Sequence, residues 1–357
     1  MAYVPPQSHV APLCTVRRER FLPAAGDVLV RADQHVDALE VVARAHVPAG
    51  HAIVDVGRYL GVPAPQADRY LTRKKGDEVK RGTVLAERRT TLGLQSRVAR
   101  APAAGTIIAT GEGRVIIETA HDTVELHAGI PGLVVNMTPG LGVVVETSGA
   151  LIQGVWGTGG QDFGTMQVLS EENGQPLPAE AITVSHRGTI IVGGRGIDAE
   201  GLRRAREYHV KGIVLGSLRA DLIEEVRSLG CPVLVVEGFG DRPMAAPAFT
   251  LLKTNTGREA ALDARPGDRL EGTRPEIVIP LPSPSHLPPL PLVGEALGPG
   301  KRVRALRAPY AGAVGTVARL LASPALLPSG LRAAAARVDL EGIGPAVIPL
   351  ANLEILG

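Results

Sequence analysis

The sequence predicts a β-rich protein of several domains with one α/β segment, and three observations support this prediction. Residues 30–44 (VRADQHVDALEVVAR) and residues 73–87 (RKKGDEVKRGTVLAE) carry the same pattern of valines and turn residues. The 43 glycines and 29 prolines exceed a fifth of the 357 residues without a collagen period, which indicates many turns and short strands. Between residues 181 and 240, three continuous apolar runs alternate with helical segments, as in a parallel sheet.

Charge and cysteine content exclude several classes of protein. A formal net charge of +2 argues against a protein that coats nucleic acid over its whole surface. The two cysteines, Cys14 and Cys231, lack a Cys-x-x-Cys context, so we expect no disulfide framework and no iron–sulfur cluster. The nine scattered histidines predict no metal site, and no cofactor is expected. Without a signal pattern or a long apolar run, we expect a cytoplasmic protein with no membrane insertion.

The N-terminal part is predicted to be a β domain built by duplication. Residues 1–20 are expected to be loosely ordered, and residues 21–150 to form the domain, with both copies of the repeated phrase inside it. Ala101-Pro-Ala-Ala-Gly105 is echoed by Ala128-Gly-Ile-Pro-Gly132 further along. Residues 53–71 interrupt the β pattern with two short helices joined by a proline turn. We interpret them as a helical insert covering one end of the β domain, with a DNA-reading helix-turn-helix as the alternative.

These turns carry a resemblance to a known fold. Gly76-Asp-Glu-Val, Gly82-Thr-Val-Leu-Ala and the Pro-x-x-Gly phrases resemble the barrel-sandwich hybrid. That fold occurs in biotinyl and lipoyl carriers, efflux adaptors, electron-transport subunits and parts of RNA polymerase. A carrier would present a modifiable lysine at the hairpin tip, but residues 88–97 (RRTTLGLQSR) contain none. The resemblance therefore implies the fold, and the missing lysine predicts that this copy carries neither biotin nor lipoate.

Residues 151–180 form a glycine-rich stretch around Trp156, the only tryptophan. It lacks the Gly-Lys-Ser/Thr ending of a P-loop, and no helical pattern follows it. We therefore interpret it as a junction between domains, with a phosphate-binding loop as the alternative.

Residues 181–279 are predicted to form an α/β domain with a β extension. The apolar runs give a three-stranded parallel βαβαβ sheet, in which a ligand would lie beyond the carboxyl ends of the strands. The glycines at the strand ends either allow a ligand to approach the backbone or are needed only to form tight turns. The sequence leaves both interpretations open. The candidate ligand-binding residues at these strand ends are Gly193, Gly194, Gly196, Ser217, Glu237 and Gly238.

The C-terminal part begins after a proline-rich stretch. Residues 280–300 are predicted to be an extended linker, although a ligand for an SH3-type partner is also compatible with them. In residues 301–357, Gly312-Ala-Val-Gly315-Thr-Val and the final Asn352-Leu-Glu-Ile-Leu resemble a KOW-type SH3-like barrel. The resemblance implies binding to RNA, ribosome or polymerase surfaces. The candidate nucleic-acid-binding residues are Arg302, Arg304, Arg307, Tyr310 and Arg319.

The residues favour a non-enzymatic scaffold or adaptor, and no catalytic residue is assigned. Its partner would be a protein or ribonucleoprotein assembly, with transcription or translation favoured by the terminal barrel. One alternative is an α/β protein that binds a nucleotide or small anionic ligand, with or without catalysis. A third is a subunit of a redox or transport complex without its own cluster. The sequence leaves the oligomeric state open.

Overall fold

The computed structural model describes residues 3–48, 50–89, 96–119, 121–268, 273–282, 289–290 and 294–356. About 45% of the chain is strand and 14% is helix, so the predicted β-rich class is confirmed. The tip of the 88–97 hairpin (residues 90–95) and much of the 280–300 segment (residues 283–288 and 291–293) lie outside the described residues.

The described residues up to 153 form fourteen strands, two short α-helices and a 3-10 turn (Asp68–Tyr70). The helices are α1 (Val56–Leu60) and α2 (Ala64–Ala67). The strands are β1 (Gln7–Ser8), β2 (Val10–Phe21), β3 (Asp27–Val28), β4 (His35–Val36), β5 (Val41–Pro48), β6 (His51–Asp55), β7 (Glu78–Val79), β8 (Val84–Arg89), β9 (Ser96–Arg100), β10 (Gly105–Gly111), β11 (Arg114–Thr119), β12 (His121–His127), β13 (Gly132–Thr138) and β14 (Gly142–Gln153).

The repeated phrases belong to two β modules, one inserted into the other. We call residues 10–48 with 121–153 the host module and residues 51–119 the tip module. The tip module is inserted between β5 and β12, which pair with each other as a hairpin. It therefore occupies the place where the host hairpin would otherwise turn.

Strand register shows that the modules are equivalent. Gly132 lies opposite Val36 in the host module, and Gly105 lies opposite Val79 in the tip module. A side chain at either glycine would collide with the backbone of the next strand, at 2.1 Å for Gly132 and 1.9 Å for Gly105. The same close approach therefore requires glycine at the same place in both copies.

Each repeated phrase packs into its own hydrophobic core. Val36 and Val42 lie in a cluster with Val16 of β2, whereas Val79 and Leu85 lie in a separate cluster within the tip module. The expectation that residues 21–150 would be one β domain is therefore corrected to two modules. Insertion at the hairpin tip separates the two cores in space, although the phrases match in sequence.

The structure also tests two predictions about short segments, the helical insert at residues 53–71 and the loosely ordered residues 1–20. The two short helices joined by a proline turn are present, but residues 53–55 belong to β6, so the helical insert begins at Val56. Asp55 caps α1 by accepting a hydrogen bond from the Arg58 amide at 2.9 Å. The expectation that residues 1–20 would be loosely ordered is wrong from Val10 onward, because β2 pairs with β14 over nearly its whole length.

The middle of the chain supplies the α/β part. Its helices are α3 (Ala199–Glu207), α4 (Ile223–Arg227) and α5 (Ala246–Thr254). Its strands are β15 (Trp156–Gly157), β16 (Gln161–Val168), β17 (Ile190–Val192), β18 (Gly212–Leu218), β19 (Val233–Phe239), β20 (Glu259–Asp263) and β21 (Glu276–Pro280).

Strands β17, β18 and β19 are parallel, as predicted, and β16 adds a fourth parallel strand beside β17. Helices α3 and α4 pack on one face and α5 packs on the other. Strands β20 and β21 join this sheet to β14 of the host module, giving one sheet of eleven strands. Strands β14, β15 and β16 pass through part of residues 151–180, and the interpretation of this stretch as a junction between domains stays a prediction.

Residues beyond 301 form the C-terminal sheet, with its own core around Val303, Val338 and Leu353. Its strands are β22 (Arg302–Ala305), β23 (Val314–Leu320), β26 (Ala335–Leu340), β27 (Gly344–Pro349) and β28 (Leu353–Leu356), while β24 (Ala325–Leu326) and β25 (Arg332–Ala333) pair separately as a hairpin. β1 from the other end of the chain adds to this sheet, parallel to β28. The SH3-like assignment stays a prediction.

Candidate functional site

The carboxyl ends of the parallel strands, where a ligand was predicted, are filled by the protein's own backbone. The Gly194 carbonyl accepts a hydrogen bond from the Met244 amide at 2.7 Å. The Gly194 amide donates to the Ser170 hydroxyl at 3.1 Å. Met244 is fully buried in the core beneath α5. Two loops, residues 170–176 and 241–245, therefore occupy the crevice.

The other predicted residues of this site have structural partners. Ser217 is fully buried, and its hydroxyl donates to the Arg242 carbonyl at 2.8 Å. Gly193 packs against Leu177, and Gly196 lies beneath the Ser217 carbonyl. Gly238 adopts a left-handed φ of 104° at the end of β19. These contacts favour the interpretation in which the glycines serve the turns.

Glu237, the carboxylate predicted for this site, instead binds an arginine of the C-terminal sheet. Its Oε2 lies 2.5 Å from Nη1 of Arg304, and its Oε1 accepts from the Ala245 amide at 2.9 Å. Arg304 also binds Glu354 at 2.5 Å. We call Glu237, Arg304 and Glu354, all buried, the buried ion cluster.

The pKa values of the two carboxylates in this cluster are shifted in opposite directions. Burial raises the pKa of Glu237, and the opposing attraction of Arg304 does not reverse that rise. Burial also acts to raise the pKa of Glu354, but Arg304 and a hydrogen bond from Ser8 lower it overall. Arg274 makes a further contact with Glu354 at 3.2 Å. Glu354 is thus the carboxylate that pairs with both Arg304 and Arg274. As pH falls, Glu237 takes up a proton before Glu354 does.

The residues predicted to bind nucleic acid are dispersed. The guanidinium of Arg304 is buried between Glu237 and Glu354, so the prediction that it contacts a nucleic acid is corrected, because both of its anionic partners belong to the protein itself. Arg302 is exposed and pairs with Glu341 at 2.9 Å, while Tyr310 packs against the core of the C-terminal sheet. Arg307 and Arg319 are exposed, and each is without an ion pair among the described residues.

A different feature, a groove of about 980 Å³, collects arginines from distant parts of the chain. It lies along β2 and the residues that flank β20 and β21, and we call it the arginine groove. Its arginines are Arg17, Arg18, Arg20, Arg265 and Arg274, and its acids are Glu19, Asp263, Asp268 and Glu276.

Several of these arginines already hold carboxylates. Arg18 binds both oxygens of Glu276 at 2.5 Å, and Arg265 binds Asp263 at 2.7 Å. Arg17 pairs with Glu146, and Arg274 pairs with Glu354. Such pairs neutralise much of the positive charge in the groove.

Arg20 is the exception. Its residue is 3% exposed, and its Nε donates to the Ala128 carbonyl at 2.7 Å. Among the described residues it makes no hydrogen bond or ion pair to a carboxylate. Burial lowers the pKa of Arg20 to about 10, the neighbouring Arg265 adds to that lowering, and the carboxylates of Asp263 and Glu276 oppose it without reversing it. The groove therefore contains a desolvated guanidinium to which an anionic group would be attracted.

Arg17, Arg18 and Arg20 fall in the segment, residues 1–20, that the sequence predicts to be loosely ordered. The available signal was the alternation Cys14, Val16, Arg18, Arg20, since alternate residues of a strand face the same side. Arg265 and Arg274 gave no local signal, because they join the groove only through tertiary contacts.

The described residues contain no cluster of three or more His, Cys, Asp or Glu side chains arranged to hold a metal. Within the same part of the chain, no helix has the length and apolar character needed to cross a membrane. No protein family model matches the chain, and a search of curated proteins found no match.

Proposed function

We propose that this protein is a non-enzymatic scaffold that binds a macromolecular assembly, holding an acidic segment of a partner in the arginine groove. The observation that carries the proposal is Arg20, a buried guanidinium without a carboxylate partner among the described residues. A carboxylate arriving beside it would form a charge-assisted hydrogen bond and would offset the desolvation of the arginine.

A rigid frame supports this scaffold role. The eleven-stranded sheet runs from the α/β part into the host module. The buried ion cluster fastens the C-terminal sheet to β19 through Glu237 and Arg304. Because the groove residues come from β2, β20 and β21, this frame positions them before any partner arrives, which lowers the cost of ordering them on binding.

The identity of the assembly rests on resemblance. Residues 301–357 are similar to KOW-type barrels, which favours a transcription or translation assembly over other partners. The second candidate function is binding of a small anionic ligand such as a nucleotide. The groove volume of about 980 Å³ lies within the range of small-molecule sites, and this observation favours that candidate.

Binding of a fluorescent deca-glutamate peptide to the full chain tests the proposal, with ATP and tripolyphosphate as small-anion competitors. We expect the peptide to bind, and Arg20→Met to weaken it about tenfold or more, since a charge-assisted contact contributes roughly 1.5–3 kcal/mol. Arg187→Met is the matched control, because Arg187 is exposed and distant in sequence from every groove residue.

Three outcomes decide between the candidates. Peptide binding that depends on Arg20 supports the scaffold. Binding of ATP or tripolyphosphate that depends on Arg20, without peptide binding, supports the small-ligand function instead. Equal loss in Arg187→Met, or no binding of any anion, contradicts both functions of the groove.

A further inference from the structure

The two β modules carry opposite charge although they share one fold. The tip module has twelve Lys and Arg against seven Asp and Glu, a net charge of +5. The host module has five against eight, a net charge of −3. Duplication accounts for the shared fold but not for this difference, so the positive charge is a separate property of the tip module.

Much of the positive charge lies on one set of turns. We call these exposed side chains the cationic face: Arg73, Lys74, Lys75, Lys80, Arg81 and Arg100. Among the described residues, none of the six makes an ion pair, and the Arg100 guanidinium donates only to the Gly82 carbonyl, at 3.0 Å. Their charges are therefore available to an anionic partner.

The alignment of residues 30–44 with residues 73–87 identifies the positions of the host module that correspond to the cationic face. Arg73 and Arg81 correspond to Val30 and Ala38, which are 4% and 2% exposed. Val30 belongs to the buried cluster that includes Val278 of β21. The host module thus buries part of this face against the rest of the molecule, whereas the tip module presents it to solvent with cations in place of apolar residues.

We infer that the cationic face of the tip module binds the phosphate backbone of a nucleic-acid duplex. Thr72 donates hydrogen bonds to the Val84 and Leu85 carbonyls, and Arg100 donates to the Gly82 carbonyl, so the turns that carry these cations are neighbours and present several charges to a duplex backbone. Arginine and lysine contacts to phosphates bind without regard to sequence. This site is independent of the arginine groove.

The composition around the face disfavours other polyanions. Among the described residues of the tip module, the large exposed apolar side chains are Ile53 and Tyr59, and neither belongs to the turns that carry the cationic face. Adsorption to a lipid surface by insertion needs apolar side chains, and binding to single strands relies on aromatic stacking. The face holds six cations around the two acids Asp77 and Glu78, and this excess of positive charge matches a duplex backbone, which attracts proteins mainly by charge.

Fluorescence anisotropy of the full chain with a 20-base-pair DNA of mixed sequence, at 50 to 200 mM KCl, tests the inference. The test variant carries Lys75→Ala, Lys80→Ala and Arg81→Ala. The control variant carries Arg31→Ala, Arg187→Ala and Arg258→Ala, which removes the same charge from exposed arginines elsewhere. Thermal melts of both variants exclude misfolding as the cause of any loss.

We expect the wild type to bind with an affinity that falls steeply with salt. The test variant should lose at least about tenfold in affinity at 50 mM, and its log–log salt slope should fall by about 0.9 for each lost phosphate contact. The control variant should keep both affinity and slope. Arg20→Met should also bind the duplex normally, which separates this inference from the proposed function.

Three results would overturn the inference. The first is no binding of the duplex at 50 mM KCl. The second is an equal loss in the control variant, which would mean that overall charge and not this face is responsible. The third is binding of vesicles containing 30% phosphatidylserine in preference to the duplex, which would assign the face to a lipid surface.

Discussion

Nη1 of Arg304 lies 2.5 Å from Oε2 of Glu237, so a buried ion pair joins the C-terminal sheet to the α/β part. Both residues had been predicted, separately, to face ligands. Their contact means that each instead satisfies the other, and removing one partner alone would leave a buried charge with less compensation.

Removing Glu354 from the buried ion cluster should destabilise the protein more than removing Glu237. Glu354→Gln leaves Arg304 with one partner and removes the contact to Arg274, so we expect a loss of about 3 kcal/mol. Glu237→Gln leaves Glu354 to neutralise Arg304, so its cost should be about 1 kcal/mol. Urea unfolding at pH 7 measures both, and an equal or reversed order would contradict the assignment of roles.

The pKa of Glu237, raised by burial, gives the cluster a pH dependence of known sign. A carboxyl with a raised folded-state pKa takes up a proton more readily in the folded state. Its contribution to stability is therefore complete below the unfolded-state value, near 4.5, and is lost as pH rises through the folded-state value. Relative to Glu237→Gln, the wild type should thus gain stability as pH falls from 7 toward 4.5. A difference that stays constant would show that the pKa is not raised.

Both thiols should react slowly in the folded protein. Burial raises the pKa of Cys14 and of Cys231 to about 11, from 9.0 for an unshifted thiol. The reactive thiolate at pH 8 is then about a hundredfold scarcer than for the unshifted group. Labelling with a disulfide reagent should be slow in buffer and complete in denaturant. Fast labelling in buffer would contradict the burial of Cys14 or the raised pKa of the half-buried Cys231.

Gly194 should be needed for stability. A Cβ there would lie 2.2 Å from the Glu172 carbonyl oxygen, so Gly194→Ala must displace backbone and should cost about 1–3 kcal/mol. Gly174, in the neighbouring loop, has open space around it and serves as the control. Gly174→Ala should be neutral or slightly stabilising. Equal stability of both variants would mean that the strand-end crevice is not filled as described.

The sequence determined the local features of the fold, because they depend on neighbouring residues. Turn glycines and alternating valines predicted the repeated β units, and continuous apolar runs predicted the parallel strands β17, β18 and β19. The proline at residue 63 and the helical spacing around it predicted α1 and α2. Each of these signals lies within a dozen residues, where sterics and periodicity decide the conformation.

Tertiary structure alone decided how these units combine. The sequence does not reveal that the tip module interrupts the host hairpin, because the interruption leaves both copies of the phrase intact. Nor does it reveal that Arg304 would meet Glu237, 67 residues away in the chain. Nor does it reveal that pairing of β2 with β14 would bury Arg20, which lies in a segment predicted to be loosely ordered. Burial, and with it the partner and the pKa of a charged side chain, depends on which distant strands become neighbours, and residues near in sequence do not specify that.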